Sequence, residues 1–448
     1  MLFRMHPSET PLTRMRRSHE AVVLGLLRRG GPLSRAELGA RSGLSRSTLY
    51  EIVGGLLSSG VVVAAGPQGP RRRGRPVELI SLNPGTGYAL GIDFARRAVH
   101  VALVNAAHEV IGRASEPHSA ELSPAAQVSL ARRLAARLGA LPRQASGPDA
   151  GGGSSEGKGR DEGPGAERAA LSAVGVGVVG PAPDDRPERH ERLADALREA
   201  FGVPVVLDNN TRLAALAEAT WGAAAGEADA VYLRLSHGVG GGLVVGGALH
   251  RGARGLSGEI GHTVVDPDGV SCGCGSHGCL ETRASIPAVL AAVRERGAGV
   301  GSAAELVAAA ASGQPAVTAA LAEVGRLVGR VLAGLCNAVG PGVLVLGGEL
   351  ADTGPALLAP LEEELRAHVV PFARDAIDLR RAALGDYGGA LGGIALALHE
   401  SPLLSHYPVG EPDADRIARA EGSEAAPAAP ARRLPSVAVA DPRHGRAS

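Results

Sequence analysis

Between Gly258 and Glu281 the chain reads GEIGHTVVDPDGVSCGCGSHGCLE, and this stretch constrains the fold more than any other. His262 is followed ten residues later by Cys272, then by Cys274 and Cys279, so three of the four cysteines in 448 residues fall here. Cys-x-Cys with a further Cys at +5, set among glycines, lets three thiolates converge without helix or strand geometry holding them apart. One imidazole then completes the tetrahedral set that a structural zinc ion prefers. A disulfide or a chance grouping are the alternatives, but thiols this dense are prone to oxidation unless a metal holds them. The expected cofactor is structural Zn2+, bound by His262, Cys272, Cys274 and Cys279 in a loop spanning 258–281. Cys336, in AGLCNAVG, reads as a small buried apolar residue.

The length suffices for two or three domains, and with aromatics at only 2 % the cores must be filled by Ala, Val, Leu and Gly. Net charge is formally zero, yet the first 87 residues hold thirteen arginines against five glutamates, with no lysine or aspartate. A basic front end on a neutral chain implies an anionic partner, of which nucleic acid is the first candidate and a solvated surface the alternative. No apolar run reaches the roughly 18–20 residues that span a bilayer. Met1–Met15 is short, polar and arginine-containing, unlike a secretory leader, and a cytoplasmic protein with no membrane partner is expected.

Ser18 to Arg29 spaces its apolar residues for a short amphipathic helix, halted by Gly30-Gly31-Pro32. Ser34-Arg35-Ala36-Glu37 is a capping box opening a second helix that ends near Ser42-Gly43. Gly43 suits a turn with positive φ, and Ser45 caps a third helix from Arg46 to about Leu57. Helix, glycine turn and capped helix make a helix-turn-helix. Arg35, Ser45, Arg46, Ser47, Thr48 and Tyr50 are the expected DNA contacts there, because hydroxyls and guanidinium at a helix N-terminus reach phosphates and base edges. Val61–Val63 and Val77–Leu82 read as strands flanking a wing, whose loop carries Arg-Arg-Arg-Gly-Arg-Pro. That tip resembles an AT-hook, with Arg73 and Arg75 suited to a narrow minor groove.

GE-x-GH followed by C-x-C-G-x-x-G-C-L-E resembles the signature of the ROK family of repressors, open reading frames and sugar kinases. The resemblance implies a multidomain chain: an N-terminal winged helix-turn-helix over 16–84, then a two-lobed α/β actin-like ATPase (ROK sugar-kinase-like) domain over 86–400. Strand-like runs agree with α/β: 88–94, 98–105, 175–181, 203–208, 231–235, 238–245 and 343–346, with helical stretches near 125–141 and 211–220. Residues 1–15 and 404–448 read as a disordered arm and tail, and 144–166 as a flexible insertion rich in Gly, Ser and Asp.

What the resemblance implies for chemistry cuts both ways. Kinases of the family enclose Asp-x-Gly-Gly-Thr between their first strands, whereas this chain has Asp93-Phe94-Ala95-Arg96-Arg97, without the glycines or the threonine. A second glycine run, Gly238 and Gly240–Gly242, is a weak signal, since glycine often only closes a turn. Alignment back from Ala217-Glu218 places Asn209 on the kinases' Asn and Asn210 on their general-base Asp. An amide cannot accept a proton at neutral pH. Asp208 is two residues away and differently aimed. No catalytic residue is therefore expected. The family's sugar-bonding positions are matched by Glu259, His262 and Glu281, with Asn209 and Asn210 on the opposite wall. His262 would serve both zinc and sugar. The expectation is a sugar-responsive repressor of carbohydrate-utilisation genes that binds operator DNA as a homodimer or a dimer of dimers. The alternative is an ATP-dependent sugar kinase with an appended head.

Overall fold

A computed structural model describes residues 31–65, 78–83, 87–106, 108–118, 122–141, 171–180 and 187–400, together with 16, 19–20, 22–27 and 85. The expected arm, insertion and tail, and the wing tip with Arg73 and Arg75, lie outside these residues.

In the N-terminal segment residues 22–27 are helical, and β1 (Leu33–Ser34) leads directly into α1 (Arg35–Ser42). The capping box forms as its sequence predicts: Glu37 N donates to Ser34 Oγ at 3.2 Å, and Ser34 N donates to Glu37 Oε2 at 2.8 Å. Gly43 closes the helix at φ 67°, a conformation costly for any residue with a Cβ. Ser45 caps α2 (Arg46–Ser58), whose Leu49, Ile52, Val53 and Leu56 face inward. They meet Val23, Leu24, Leu27 and Leu38 in one apolar core. β2 (Val62–Ala65) and β3 (Leu79–Leu82) pair antiparallel as the wing requires. β1 adds a third strand on β3, which no sequence pattern foretold because two residues carry no periodicity.

Two five-stranded sheets follow, built alike. β4 (Tyr88–Phe94), β5 (Ala98–Asn105) and β6 (Val110–Pro117) form an antiparallel meander, and α3 (Pro124–Arg137) follows. β7 (Leu171–Val178) then lies parallel to β4. After α4 (Pro187–Phe201), β8 (Val205–Asn209) joins parallel to β7, and α5 (Asn210–Trp221) leaves from its end. In the second sheet β9 (Ala230–Leu235), β10 (Val239–Val245) and β11 (Ala248–His250) are the meander. β12 (Val343–Gly347) and β13 (Asp378–Arg381) are the parallel additions, so both sheets have the order 3-2-1-4-5. This repetition sets the β4–β5 and β9–β10 hairpins in equivalent places.

The last helix, α6 (Gly388–Glu400), packs on β4, β7 and α5, elements far earlier in the chain. Glycine permits the approach. A Cβ at Gly91 or Gly175 would strike the backbone carbonyls of Ala390 and Gly393.

Candidate sugar and metal site

α5 begins where β8 ends, and most of the site is arranged around that junction. Asn209 is its N-cap: Oδ1 accepts from Thr211 N at 2.8 Å and Arg212 N at 3.1 Å, and Nδ2 donates to Gly180 O at 2.7 Å. One amide hydrogen is left for a ligand, so this residue is chiefly a cap. Asn210 is buried, and its Nδ2 donates to Asp93 Oδ1 at 3.0 Å. Asp93 is fully buried, with Oδ2 unbonded among the described residues. Burial raises its pKa to about 6, against the lowering pull of Arg234 and of the Asn210 hydrogen bond. Across the ladder from Asp93 stands His100, lodged edge-on to Tyr387 at 5.4 Å. Burial lowers the pKa of this imidazole.

Asp208 is not free to act as a base. Oδ1 accepts from Arg212 Nε at 2.9 Å and Asn209 N at 2.7 Å, and Oδ2 from Arg251 Nε at 2.7 Å. Arg212 is only 1 % exposed and also donates to the carbonyls of Gly255 and Ser257. It ties the start of α5 to the segment that leads into the cysteine loop. Sequence reading missed Arg212, Arg234, His100 and Tyr387. For Arg212 a signal existed, since Asp208 and Arg212 are spaced i,i+4.

Glu259 Oε1 lies 4.0 Å from Arg212 Nη1, and Oε2 lies 3.9 Å from His262 Nε2. Glu281 Oε2 accepts from Val239 N at 2.8 Å, which anchors this carboxylate at the mouth of the β9–β10 hairpin. The glycine run beyond that hairpin closes no turn. Gly240–Gly242 lie within β10, where side chains would strike Thr211 and Ala215 of α5 on one face and Ile260 on the other. Its glycines are there for packing.

The opposite edge of His262 faces the cysteines, with Nδ1 3.6 Å from Cys272 Sγ, and Cys274 Sγ lies 3.7 Å from Cys279 Sγ. All four ligand atoms fall within 4.8 Å of one another. The thiols are free, not disulfide-bonded. A tetrahedron with metal–sulfur bonds of about 2.3 Å has sulfur–sulfur edges of about 3.8 Å, so the donor set fits a metal ion and suits zinc. Burial, reinforced by Cys274 and Cys272, pushes the Cys279 thiol up to about 12. A bound cation would reverse that cost by favouring thiolates. Gly278, at φ 61°, and the antiparallel bridges Val264–Cys279 and Ser271–His277 hold the loop in this form.

In the N-terminal segment, Arg46, Ser47 and Tyr50 line an open hollow, with Tyr50 half exposed between the guanidinium groups of Arg35 and Arg46 at 5.3 and 5.7 Å. Arg35 is also paired with Glu78. Ser45 Oγ is spent on capping, accepting from Thr48 N at 3.2 Å and lying 2.8 Å from Thr48 Oγ1. Ser47 Oγ lies 3.0 Å from Ser45 Oγ as well, so Arg46 and Tyr50 are the expected contacts whose side chains make no hydrogen bond among the described residues.

The profile of the ROK family matches residues 169–400. The chain belongs to the ROK family. A glucokinase of Halalkalibacterium halodurans is 34 % identical over 217 residues, 45 % of this chain and 66 % of the relative, just under two thirds of its length. The xylose repressor of Bacillus spizizenii is 25 % identical over 393 residues, 85 % of this chain and 94 % of the relative. A crystal structure of a ROK-family transcriptional regulator, a homologue of the E. coli MLC protein, superposes with a TM-score of 0.69 at 22 % identity. It covers 88 % of this chain and 98 % of that one, and at this identity it establishes the fold. The two-lobed ROK sugar-kinase fold is therefore present. The glucokinase aligns over part of the chain, whereas ROK regulators align over most of it. Among the described residues no helix is long and apolar enough to cross a membrane.

Proposed function

We propose that this chain is a sugar-responsive transcriptional regulator, a repressor of carbohydrate-utilisation genes acting in the cytoplasm. One observation carries the reading: the curated relatives that align over most of this chain, such as the xylose repressor at 85 %, are regulators, whereas the glucokinase aligns over 45 % of it. The N-terminal segment supports it, since α1, the Gly43 turn and α2 with a wing present Arg46, Ser47 and Tyr50 on an open face. In this reading residues 16–84 form the winged helix-turn-helix, Arg73 and Arg75 enter the minor groove, and residues 86–400 sense the effector. The protein binds an operator as a dimer whose two heads meet half-sites about one helical turn apart. Glu259, His262, Glu281 and Asn210, with the remaining hydrogen of Asn209, bond the sugar's hydroxyls. Zinc on His262 Nδ1, Cys272, Cys274 and Cys279 fixes the loop and leaves Nε2 beside Glu259.

Similarity to a glucokinase favours a second reading, an ATP-dependent sugar kinase. Against it stand Asn210, whose amide cannot take a proton, and Asp208, whose oxygens are held by two arginines. Fluorescence anisotropy with DNA from upstream of the protein's own gene, at fixed salt, tests the regulator reading. Saturable sequence-specific binding shifted by a sugar is expected. ATP-dependent phosphorylation of a hexose without specific DNA binding would overturn it.

A further inference from the structure

We propose that the cysteine loop is also an oxidative modification site: peroxide attacks Cys274 and joins it to Cys279 as a reversible disulfide, which dismantles the metal site and silences the sugar response. The bond chemistry stands apart from the functional reading, whereas the effect on the sugar response rests on it.

The three thiols differ in what surrounds them. Cys279 is fully buried, with its backbone bridged to Val264, and Cys272 is buried with its Sγ 3.6 Å from His262 Nδ1. Cys274 is exposed, as are Gly273, Gly275, Ser276 and His277 around it. A small polar oxidant therefore meets one sulfur of the three. A partner for that sulfur already stands beside it, since Cys274 Sγ lies 3.7 Å from Cys279 Sγ. A solvent-open thiolate with a second cysteine in reach diverts oxidation into a disulfide before it goes further.

Closing from 3.7 Å to the roughly 2.0 Å of a disulfide requires one side of the loop to move. Glycine supplies that freedom beside Cys274. Gly273 and Gly275 both face open space, and Gly275 sits at φ 91°. Cys279 has no such slack: Leu280 N donates to Thr263 O at 2.8 Å, and Gly278 is packed against the Asp266 carbonyl. Cys274 travels and Cys279 stays.

In the first step the Cys274 thiolate attacks hydrogen peroxide. A sulfur–oxygen bond forms, the oxygen–oxygen bond breaks, and hydroxide leaves to take up a proton as water. The Cys279 thiolate then attacks the resulting sulfenic sulfur, forming the sulfur–sulfur bond and expelling a second hydroxide, again lost as water. Together the two sulfurs give up two electrons, and one peroxide becomes two waters. Only His262 and Cys272 then remain as donors, where a structural zinc ion takes four. His262 Nδ1 is untied, so Nε2, 3.9 Å from Glu259, loses the orientation that metal binding gives it. In a reducing compartment such a disulfide is a transient signal, reversed by the thiol pool.

The test titrates zinc-loaded, full-length protein with hydrogen peroxide while a chromogenic chelator reports free zinc. Zinc release in step with peroxide consumed is expected, with a Cys274–Cys279 link in peptide maps. Cys336, buried in the helix Pro315–Val339, should stay reduced and serves as the internal control. Operator binding by anisotropy should lose its sugar-induced shift on oxidation and regain it with dithiothreitol and zinc. Zinc held in a peroxide excess that fully oxidises free glutathione would overturn the proposal, as would a bond to Cys272 or between chains. Oxidation that dithiothreitol does not reverse would overturn it too. An unchanged sugar shift in oxidised, zinc-free protein would remove the switch. If reduced protein shows no sugar shift at all, the sugar-responsive reading falls, and zinc release and peptide maps still decide the modification site.

Discussion

The side-chain amide of Asn210 donates to the buried carboxylate of Asp93 at 3.0 Å, so the first strand of one sheet is bonded to the helix that leaves its last strand. The pair sits among Arg234, His100 and Asp386, and burial makes ionisation of Asp93 costly.

Asp93 has a folded pKa of about 6, above its ordinary 3.8, so the folded state binds this proton more tightly than the unfolded one. The associated stability is fully present below pH 3.8 and is lost as pH rises through 6. Asp93→Asn keeps the shape and removes the titration. Urea denaturation should show the variant more stable than wild type at pH 7.5, by up to about 3 kcal/mol. The gap should close near pH 4, and a gap that widens on acidification contradicts this account.

Asn210→Asp should not create a kinase. It places a second carboxylate within hydrogen-bonding distance of Asp93, where both cannot ionise cheaply. Lower stability at pH 8 than at pH 5.5, with no hexose phosphorylation above background in a coupled assay, is expected. Measurable turnover would mean that Asn210 alone separates this chain from catalysis.

Arg212 is buried against Asp208, and truncating one partner of such a pair costs about 3 kcal/mol or more. Arg212→Met should therefore lower the melting temperature clearly. It should also weaken sugar binding, because the 251–257 segment and Glu259 lose their anchor. Unchanged sugar affinity in a folded variant would confine Arg212 to a structural role.

For the metal, elemental analysis should find one zinc per chain. Cys279→Ser should release it and blunt the sugar-induced shift in operator affinity, with operator affinity in the absence of sugar less affected. Equal loss of both would show that the loop supports the whole molecule and not the effector response.

At the N-terminal segment, Tyr50→Ala removes the ring between Arg35 and Arg46 and should narrow discrimination between operator and mismatched DNA by about 1–3 kcal/mol. Arg46→Ala should weaken binding to operator and mismatched sequences alike if the guanidinium meets phosphate. Competition anisotropy separates the two patterns.

Features made by neighbouring residues were readable in advance. The Ser34–Glu37 box, the Gly43 turn, the apolar stripe of α2 and the grouping of His262 with three cysteines depend on short spacings that structure cannot easily rearrange. Features made by distant residues were not. Nothing near Arg234 announces that the fold brings Asp93 and Asp386 beside it, and nothing near His100 announces Asp386. Asn209, matched to a sugar wall, also caps α5, a second use that the alignment alone does not display. The glycines of β10 misled, because close packing and a tight turn draw on the same residue.

The helix Gly388–Glu400 covers a sheet whose first strand begins three hundred residues earlier, at Tyr88. On the ribosome, β4 and β7 emerge long before the segment that shields them, so the nascent first lobe presents an apolar face until the codons for Gly388–Glu400 are read. A premature stop just upstream of Gly388 would thus yield more than a shortened chain. It would leave a sticky half-lobe, a natural client for chaperones and proteases.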